Sequence, residues 1–136
     1  MALTLEDVNS LKCGYRNPVW VGEFPYAVAK ALGLNNHNIY LSKQSLEHIL
    51  YSHRDISMFN VLMLPLAIKR GLLIQELRRP GVVLVSYLDS SDGKRFVAAL
   101  KTTASGAETW VSTFHRAHRR QTLSMMKRGK VLKTHD

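Results

Sequence analysis

The sequence contains a single cysteine, Cys13, and no long apolar segment. One thiol cannot form an intramolecular disulfide, and it excludes a zinc site built from several cysteines. The longest apolar run, residues 61–68, contains Pro65 and is far shorter than the roughly 20 residues of a membrane-spanning helix. The first residues also lack the basic and apolar regions of a signal peptide. We therefore expect a cytoplasmic protein with no membrane segment.

Acidic residues are scarce: ten Asp and Glu stand against 19 Lys and Arg, a formal net charge of +9. This surplus exceeds what solubility requires and favours a polyanionic partner. Hydrophobic residues make up 46% and charged residues 21% of the chain, values typical of globular domains, which excludes a disordered chain. Since no repeat, low-complexity segment or linker is present, residues 1–136 are expected to form a single domain.

Capping residues and apolar spacing predict helices in the first half of the chain. Acidic residues after Thr4 predict a helix over about 5–12, and Pro25 and Gly33 would begin and end a second helix. Residues 1–37 would thus form an N-terminal helical extension. After an extended piece at 38–41, helices are predicted over about 43–54 and 58–70; Pro65 should kink or divide the second one.

From residue 72 the hydrophobic pattern changes to the period of two that is typical of strands. Four strands are predicted, at 72–78, 82–88, 95–103 and 108–114. Their short connections contain turn residues, which favours an antiparallel meander. A basic helix ending near Gly129 and a polar tail over 129–136 would follow. The predicted fold is α+β, with N-terminal helices packed on a four-stranded antiparallel meander sheet and a C-terminal basic helix.

Histidine, cationic and hydroxyl residues gather near the end of the fourth predicted strand. They are Thr109, Ser112, Thr113, His115, Arg116, His118, Arg119 and Arg120. RNA cleavage without a metal needs a base for the 2′-hydroxyl proton, an acid for the 5′ leaving oxygen, and donors that stabilise the phosphorane. These residue types supply all three functions. The same cluster also fits a solvated cationic helix end.

Other candidate residues each allow two interpretations. His53 ends the apolar stripe of the helix at 43–54, as either a hydrogen-bonded core histidine or a partly desolvated base in a pocket. Lys101 emerges in the middle of a strand, where it could contact a phosphate or protect a sheet edge from aggregation. Arg78 and Arg79 could hold a backbone phosphate or solvate a turn.

The histidine spacing does not favour a metal centre. His48 and His53 would diverge by about 140° around a helix, and the pair His115 and His118 has no nearby cysteine or carboxylate ligand. The sequence also lacks a Gly-rich phosphate loop, a serine nucleophile elbow and paired carboxylates, so nucleotide hydrolases and glycosidases are excluded. We predict no metal and no cofactor.

Four segments together resemble a known family: LEHILYSH at 46–53, PLAIKRG at 65–71, FVAALK at 96–101 and WVSTFH at 110–115. They resemble the phage-associated branch of the barnase/EndoU/colicin/RelE-like nucleases, over about residues 40–120. The resemblance implies a nuclease-like core at 38–128, helices on a four-stranded antiparallel sheet, and metal-independent RNase activity in many members.

The resemblance also suggests functional positions. The helix histidine of the family falls on His53 or His48, the strand cation on Lys101, and the hydroxyl on Ser112 or Thr113. Members often carry a tyrosine after the hydroxyl, whereas this chain has Phe114 and then His115. The second proton-transfer group is therefore left open by the family pattern.

Our first hypothesis is a toxin-like RNA endonuclease that uses 2′-hydroxyl attack and leaves a 2′,3′-cyclic phosphate. His53 and His115 would transfer protons. Phosphorane stabilisation would come from Lys101 and Arg116, with a hydrogen bond from Thr113 or Ser112, and the RNA backbone would be held by Arg78, Arg79, Arg119 and Arg120. The partners would be RNA, with tRNA as one candidate, and an acidic antitoxin or immunity protein.

Two other hypotheses stay open. The second is a non-catalytic nucleic-acid-binding accessory protein of a phage or plasmid, and the third is an interaction module whose basic face meets an acidic protein. A binder predicts affinity that falls with salt and survives substitution of His53, whereas an enzyme predicts product.

Overall fold

A computed structural model describes residues 3–136. The helices are α1 (Leu5–Cys13), α2 (Tyr26–Leu32), α3 (Lys43–Ser52), α4 (Met58–Val61), α5 (Leu64–Arg70) and α6 (Arg119–Arg128). The strands are β1 (Val19–Glu23), β2 (Asn38–Leu41), β3 (Leu72–Glu76), β4 (Val82–Leu88), β5 (Arg95–Thr102), β6 (Thr109–Arg116) and β7 (Gly129–Lys133). Within this described part of the chain, no helix has the length and apolarity needed to cross a membrane.

Local sequence signals set the ends of the early helices. The Thr4 hydroxyl accepts from the Asp7 amide at 3.1 Å, and the Asp7 carboxylate accepts from the Thr4 amide at 3.0 Å, a reciprocal cap that confirms the predicted start of α1. Pro65 lies in the first turn of α5, where its missing N–H costs nothing. The helix predicted over 58–70 is therefore divided into α4 and α5.

The sheet is larger than predicted and is mixed. Residues 3–136 form seven strands in the order β1-β2-β6-β5-β4-β3-β7, and β2 runs parallel to β6 while all other neighbours are antiparallel. The prediction of a four-stranded antiparallel meander is therefore wrong. The four predicted strands do form the consecutive antiparallel run from β3 to β6, as their short turns require.

The additional strands come from both ends of the chain. β1 and β2 form a hairpin-like pair around α2, so residues 1–37 are not purely a helical extension. β7 occupies most of the predicted polar tail over 129–136 and pairs with β3. Its pairing rests on backbone hydrogen bonds rather than on buried alternating side chains, since every residue of β7 is partly or fully exposed. Such a strand gives little hydrophobic signal in the sequence.

The sheet has two different faces. One face packs in the main core with residues from α1 to α5, and its strand residues include Leu73, Val85, Ala98 and Phe114. The other face carries Val97 and Ile74, which pack on Met125 of α6 in a smaller cluster. We call this second side the α6 face. Because side chains alternate along a strand, the register assigns every exposed strand residue to one face or the other.

Candidate functional site: a histidine pair beside a cationic cleft

His53 lies just beyond α3 rather than on its apolar stripe. The helix ends at Ser52, and His53 has non-helical dihedral angles (φ −125°, ψ 77°) while its amide still donates to the Ile49 carbonyl at 3.0 Å. The predicted helix over 43–54 is thus about two residues too long. Because α3 ends before His53, the partly buried ring of His53 does not follow the helical spacing of the apolar residues in α3.

The parallel pairing of β2 with β6 brings His53 to His115. Tyr40 of β2 lies opposite Trp110, and the chain then enters α3, which packs beside β6. As a result the rings of His53 and His115 have centroids 5.2 Å apart, with planes inclined by 35°. These two residues, proposed from the sequence as the proton-transfer pair, are in contact although 62 positions separate them.

Hydrogen bonding assigns the two ring nitrogens of His115. Nδ1 lies 3.0 Å from the backbone carbonyl oxygen of Arg116. A carbonyl oxygen can only accept, so Nδ1 carries a hydrogen and Nε2 is the nitrogen that can exchange a proton with a ligand.

His48 joins the same group of rings. Its ring centroid is 6.4 Å from that of His53, and its Nδ1 lies 3.4 Å from the Ser52 hydroxyl. The divergence of about 140° predicted for these two histidines assumed that both were helical. We call His48, His53 and His115 the histidine cluster. Residues 3–136 contain no set of three or more His, Cys, Asp or Glu side chains placed to hold a metal ion.

The surroundings lower the pKa of His53 below its ordinary value of 6.5. Burial is the main cause, because it disfavours the charged imidazolium. The positive charge of His115 adds to this effect, and His48 adds less, while the carboxylate of Asp55 acts in the opposite direction. His53 is therefore held in its neutral form at neutral pH, which is the form that can accept a proton.

A cleft of about 610 Å³ lies at the end of β6, where it is lined by the residues that follow His115. Its lining is strongly basic and consists of Asp55, Leu88, Gly93, Lys94, Arg95, Arg116, Ala117, His118 and Arg119. We call it the cationic cleft. Arg116 follows His115 directly and Asp55 is two residues from His53, but neither histidine is among the residues that line the cleft.

Sequence reasoning identified Arg116 and Arg119 but missed Lys94 and Arg95. The β4–β5 turn delivers these two cations next to the end of β6, where the Ala117 amide donates to the Arg95 carbonyl at 3.0 Å. The guanidinium of Arg95 also lies 3.5 Å from the Ser86 hydroxyl. The register of the β5–β6 hairpin, which its short turn implies, is the signal that could have found them.

The predicted hydroxyl residues lie near His115. Thr113 is opposite Ala99 and shares the α6 face with His115, two residues further along β6. Ser112 is the extra residue of a bulge, since Ala99 pairs with Thr113 and Leu100 with Val111. Both hydroxyl residues are partly exposed, whereas Thr109 is fully buried at the start of β6.

Lys101 lies on the α6 face but further from the histidine pair. It is opposite Trp110, whereas His115 is opposite Val97. Four residues of β5 separate the two positions, about 13 Å along the strand. Lys101 is therefore placed to contact a neighbouring phosphate of a bound chain rather than the phosphate at His115.

The predicted arginines at the β3–β4 turn lie at the opposite end of the sheet. Arg79 donates to both carboxylate oxygens of Glu76, at 2.9 and 3.1 Å. Arg78 and Arg79 line a separate cleft of about 580 Å³ with Arg128. Arg120, in the first turn of α6, is exposed beside Arg119. The structure thus does not place Arg78 and Arg79 next to the histidine pair.

Comparisons of this chain with protein-family models, with curated proteins and with solved structures found no match. The assignment of the site therefore rests on its own geometry. Two imidazoles in contact can supply a base and an acid, and the adjoining cations can bind and stabilise an anion.

Proposed function

We propose that this protein is a metal-independent RNA endonuclease. The observation that supports the proposal is the contact between His53 and His115, at 5.2 Å between ring centroids, while Asp55 and Arg116, close to them in sequence, line the cationic cleft. An RNA phosphodiester is an anion with a hydroxyl next to its scissile bond. It therefore requires the two proton-transfer groups and the positive charge that this arrangement offers.

The proposed reaction needs His53 in its neutral form as the base and His115 with a hydrogen on both ring nitrogens as the acid. Neutral His53 accepts the proton of the 2′-hydroxyl, and the 2′-oxygen forms a bond to phosphorus. The bond from phosphorus to the 5′-oxygen breaks, and this leaving oxygen takes a proton from Nε2 of His115. The products are a 2′,3′-cyclic phosphate and a 5′-hydroxyl, with the proton now on His53 and absent from His115.

Neighbouring groups have supporting roles in this proposal. Arg116 stabilises the negative charge of the phosphorane, and Thr113 or Ser112 donates a hydrogen bond to it. Arg95 and Arg119 hold the RNA backbone in the cationic cleft. The net charge of +9 fits RNA as a partner, and an acidic antitoxin or immunity protein would cover the same basic surface.

The test is cleavage of total tRNA and of an unstructured RNA in EDTA, with the fragment ends mapped. Removal of a general acid or base typically costs about 10²–10⁴-fold in rate, so His53→Ala and His115→Ala should each lose activity on this scale. The matched control is His37→Ala, because His37 lies against Tyr26 at 6.0 Å and is outside the histidine cluster. It should retain wild-type activity.

Fragments that end in a 2′,3′-cyclic phosphate and vanish with His115→Ala would support the proposal. Intact RNA with the wild-type protein, or equal cleavage by the histidine variants, would refute it. Intact RNA with salt-dependent retardation would favour a non-catalytic nucleic-acid binder, which the exposed cations of α6 also fit.

A further inference from the structure

Three aromatic residues form a continuous row across neighbouring strands. Trp20 of β1 is opposite Tyr40 of β2, and Tyr40 is opposite Trp110 of β6. Lys101 of β5 comes next in the same row, opposite Trp110. We call Trp20, Tyr40 and Trp110 the aromatic row. Adjacent strands lie about 4.8 Å apart, so the three residues are neighbours across the strands.

The aromatic row lies on the α6 face and stays in contact with solvent. Its strand neighbours Val19, Ile39 and Val111 are buried in the main core, so the row points to the opposite side by alternation. The three aromatic side chains remain partly exposed. Helix α6 contacts β3 and β7, which lie at the other end of the strand order.

Hydrogen bonds hold the two indoles of the row. Trp20 Nε1 donates to the Asn38 side-chain oxygen at 3.1 Å, and Trp110 Nε1 donates to the Glu108 carboxylate at 3.2 Å. The Tyr40 and Trp110 rings have centroids 6.0 Å apart. The indole N–H groups are therefore occupied, and the π-systems are the part of the rings left for a ligand.

The charge beside the row indicates what it would bind. Lys101 is exposed and flanks Trp110, while Glu108 is the acidic group next to the same indole. The cationic cleft lies on the other side of His115, and the whole chain carries a net charge of +9. Aromatic rings combined with cations are typical of surfaces that bind unpaired bases and their phosphates.

We propose that the aromatic row and Lys101 form a binding surface for single-stranded nucleic acid, with unpaired bases stacked on the rings and a backbone phosphate at Lys101. This inference rests on the proposed function and names its substrate class as single-stranded RNA. The row and His115 share one face and lie about 13 Å apart along the strands. One extended strand can therefore occupy both the row and the cationic cleft. Base-paired RNA has no free base faces for stacking.

The experiment measures binding without cleavage. A labelled single-stranded oligodeoxynucleotide lacks the 2′-hydroxyl and so resists the proposed chemistry, and a duplex of the same sequence is the comparison. Loss of one stacking contact costs about 1–3 kcal/mol, so Tyr40→Leu and Trp110→Leu should each weaken single-strand binding about 5- to 150-fold. Trp110→Phe keeps an aromatic ring and should lose less. Tyr15→Ala is the matched control, because Tyr15 is 88% exposed and lies outside the row.

Circular dichroism and thermal unfolding check that each variant is folded. Lys101→Gln removes the charge proposed to bind a backbone phosphate at an exposed position, so it should weaken single-strand binding without affecting folding. Unchanged single-strand binding by the folded row variants, or equal affinity for the duplex, overturns this inference. Displacement of the oligonucleotide from the row by polyglutamate at equal charge overturns it in favour of an acidic protein partner. If the row variants bind normally and the wild-type protein still cleaves RNA, the binding surface is refuted and the nuclease proposal survives. If the row variants lose binding and the wild-type protein does not cleave RNA, the nuclease proposal is refuted and the binding surface survives.

Discussion

The contact between His53 and His115 predicts a pH-dependent repulsion that can be measured through stability. The ring centroids are 5.2 Å apart. Two unit charges at about this distance repel by about 0.8 kcal/mol in bulk water and by about 3 kcal/mol at an effective dielectric constant of about 20. Since both rings are partly exposed, we expect a value near the lower end, about 1 kcal/mol.

The direction of the pH effect follows from the pKa of His53, which burial and the charge of His115 hold below 6.5. Below pH 6.5 the unfolded chain takes up a proton at this residue that the folded protein resists. Stability is therefore lost as the pH falls from 6.5 towards the pKa of the folded state, and the loss is complete below that pKa.

The assay is a double-mutant cycle. Wild-type protein, His53→Asn, His115→Asn and the double variant are unfolded with urea at about pH 8 and about pH 5, on either side of the ordinary histidine pKa. The coupling free energy should be near zero at the higher pH and destabilising by about 1 kcal/mol at the lower pH. Carboxylates such as Asp7 also titrate, but their effect is common to all four proteins and cancels.

A second cycle that replaces His37 instead of His53 is the control and should show no coupling with His115 at either pH. A coupling between His53 and His115 that is equal at the two pH values would refute the reasoning. A coupling that stabilises the protein at low pH would refute it as well, because it would mean that the two rings are not charged neighbours.

Two further predictions concern how α6 and the end of α5 pack against the sheet. Thr122→Val removes the closer of two hydrogen-bond partners of the buried Ser86 hydroxyl, which lies 2.8 Å from the Thr122 hydroxyl and 3.5 Å from Arg95. The free energy of unfolding should therefore fall by about 0.5–1.5 kcal/mol in urea titration. Thr122→Ser keeps the hydroxyl and should lose less; equal stability of the valine variant and the wild type would contradict this. At Gly71 an added Cβ would lie 2.5 Å from the Ala67 carbonyl oxygen and 2.9 Å from that of Ser86. Because backbone atoms must shift to make room, Gly71→Ala should lower Tm and reduce the free energy of unfolding by about 1–3 kcal/mol. An unchanged Tm would show that the two carbonyl oxygens are further from Gly71 than this.

Much of the fold was predictable where the signal is local. The reciprocal cap at Thr4, the break at Pro65 and the four alternating segments from residue 72 each lie within a few residues of the structure they specify. β1 and β7 were missed for different reasons. β1 is a short strand among helices, and β7 is stabilised by pairing with β3 while most of its side chains meet solvent.

The candidate site was predictable in part. The residue types and the strand alternation singled out His115 with Thr113, and the stripe of α3 drew attention to His53. The cations that line the cleft include Lys94 and Arg95, at the start of β5, which the sequence analysis did not single out. Arg78 and Arg79 carry the same charge, but the antiparallel run from β3 to β6 places their turn at the opposite end of the strands from His115.

By itself the sequence determined the basic charge, the helices that precede four alternating strands, and the chemical types present near residue 115. Tertiary structure alone decided that β2 pairs in parallel with β6, which carries the end of α3 to the end of β6. It therefore decided that His53 meets His115 and that Trp20, Tyr40 and Trp110 form one row. The physical reason is that capping and alternation are properties of neighbouring residues, whereas contacts between distant segments depend on which strand edges pair, and backbone hydrogen bonds carry no residue-specific signal.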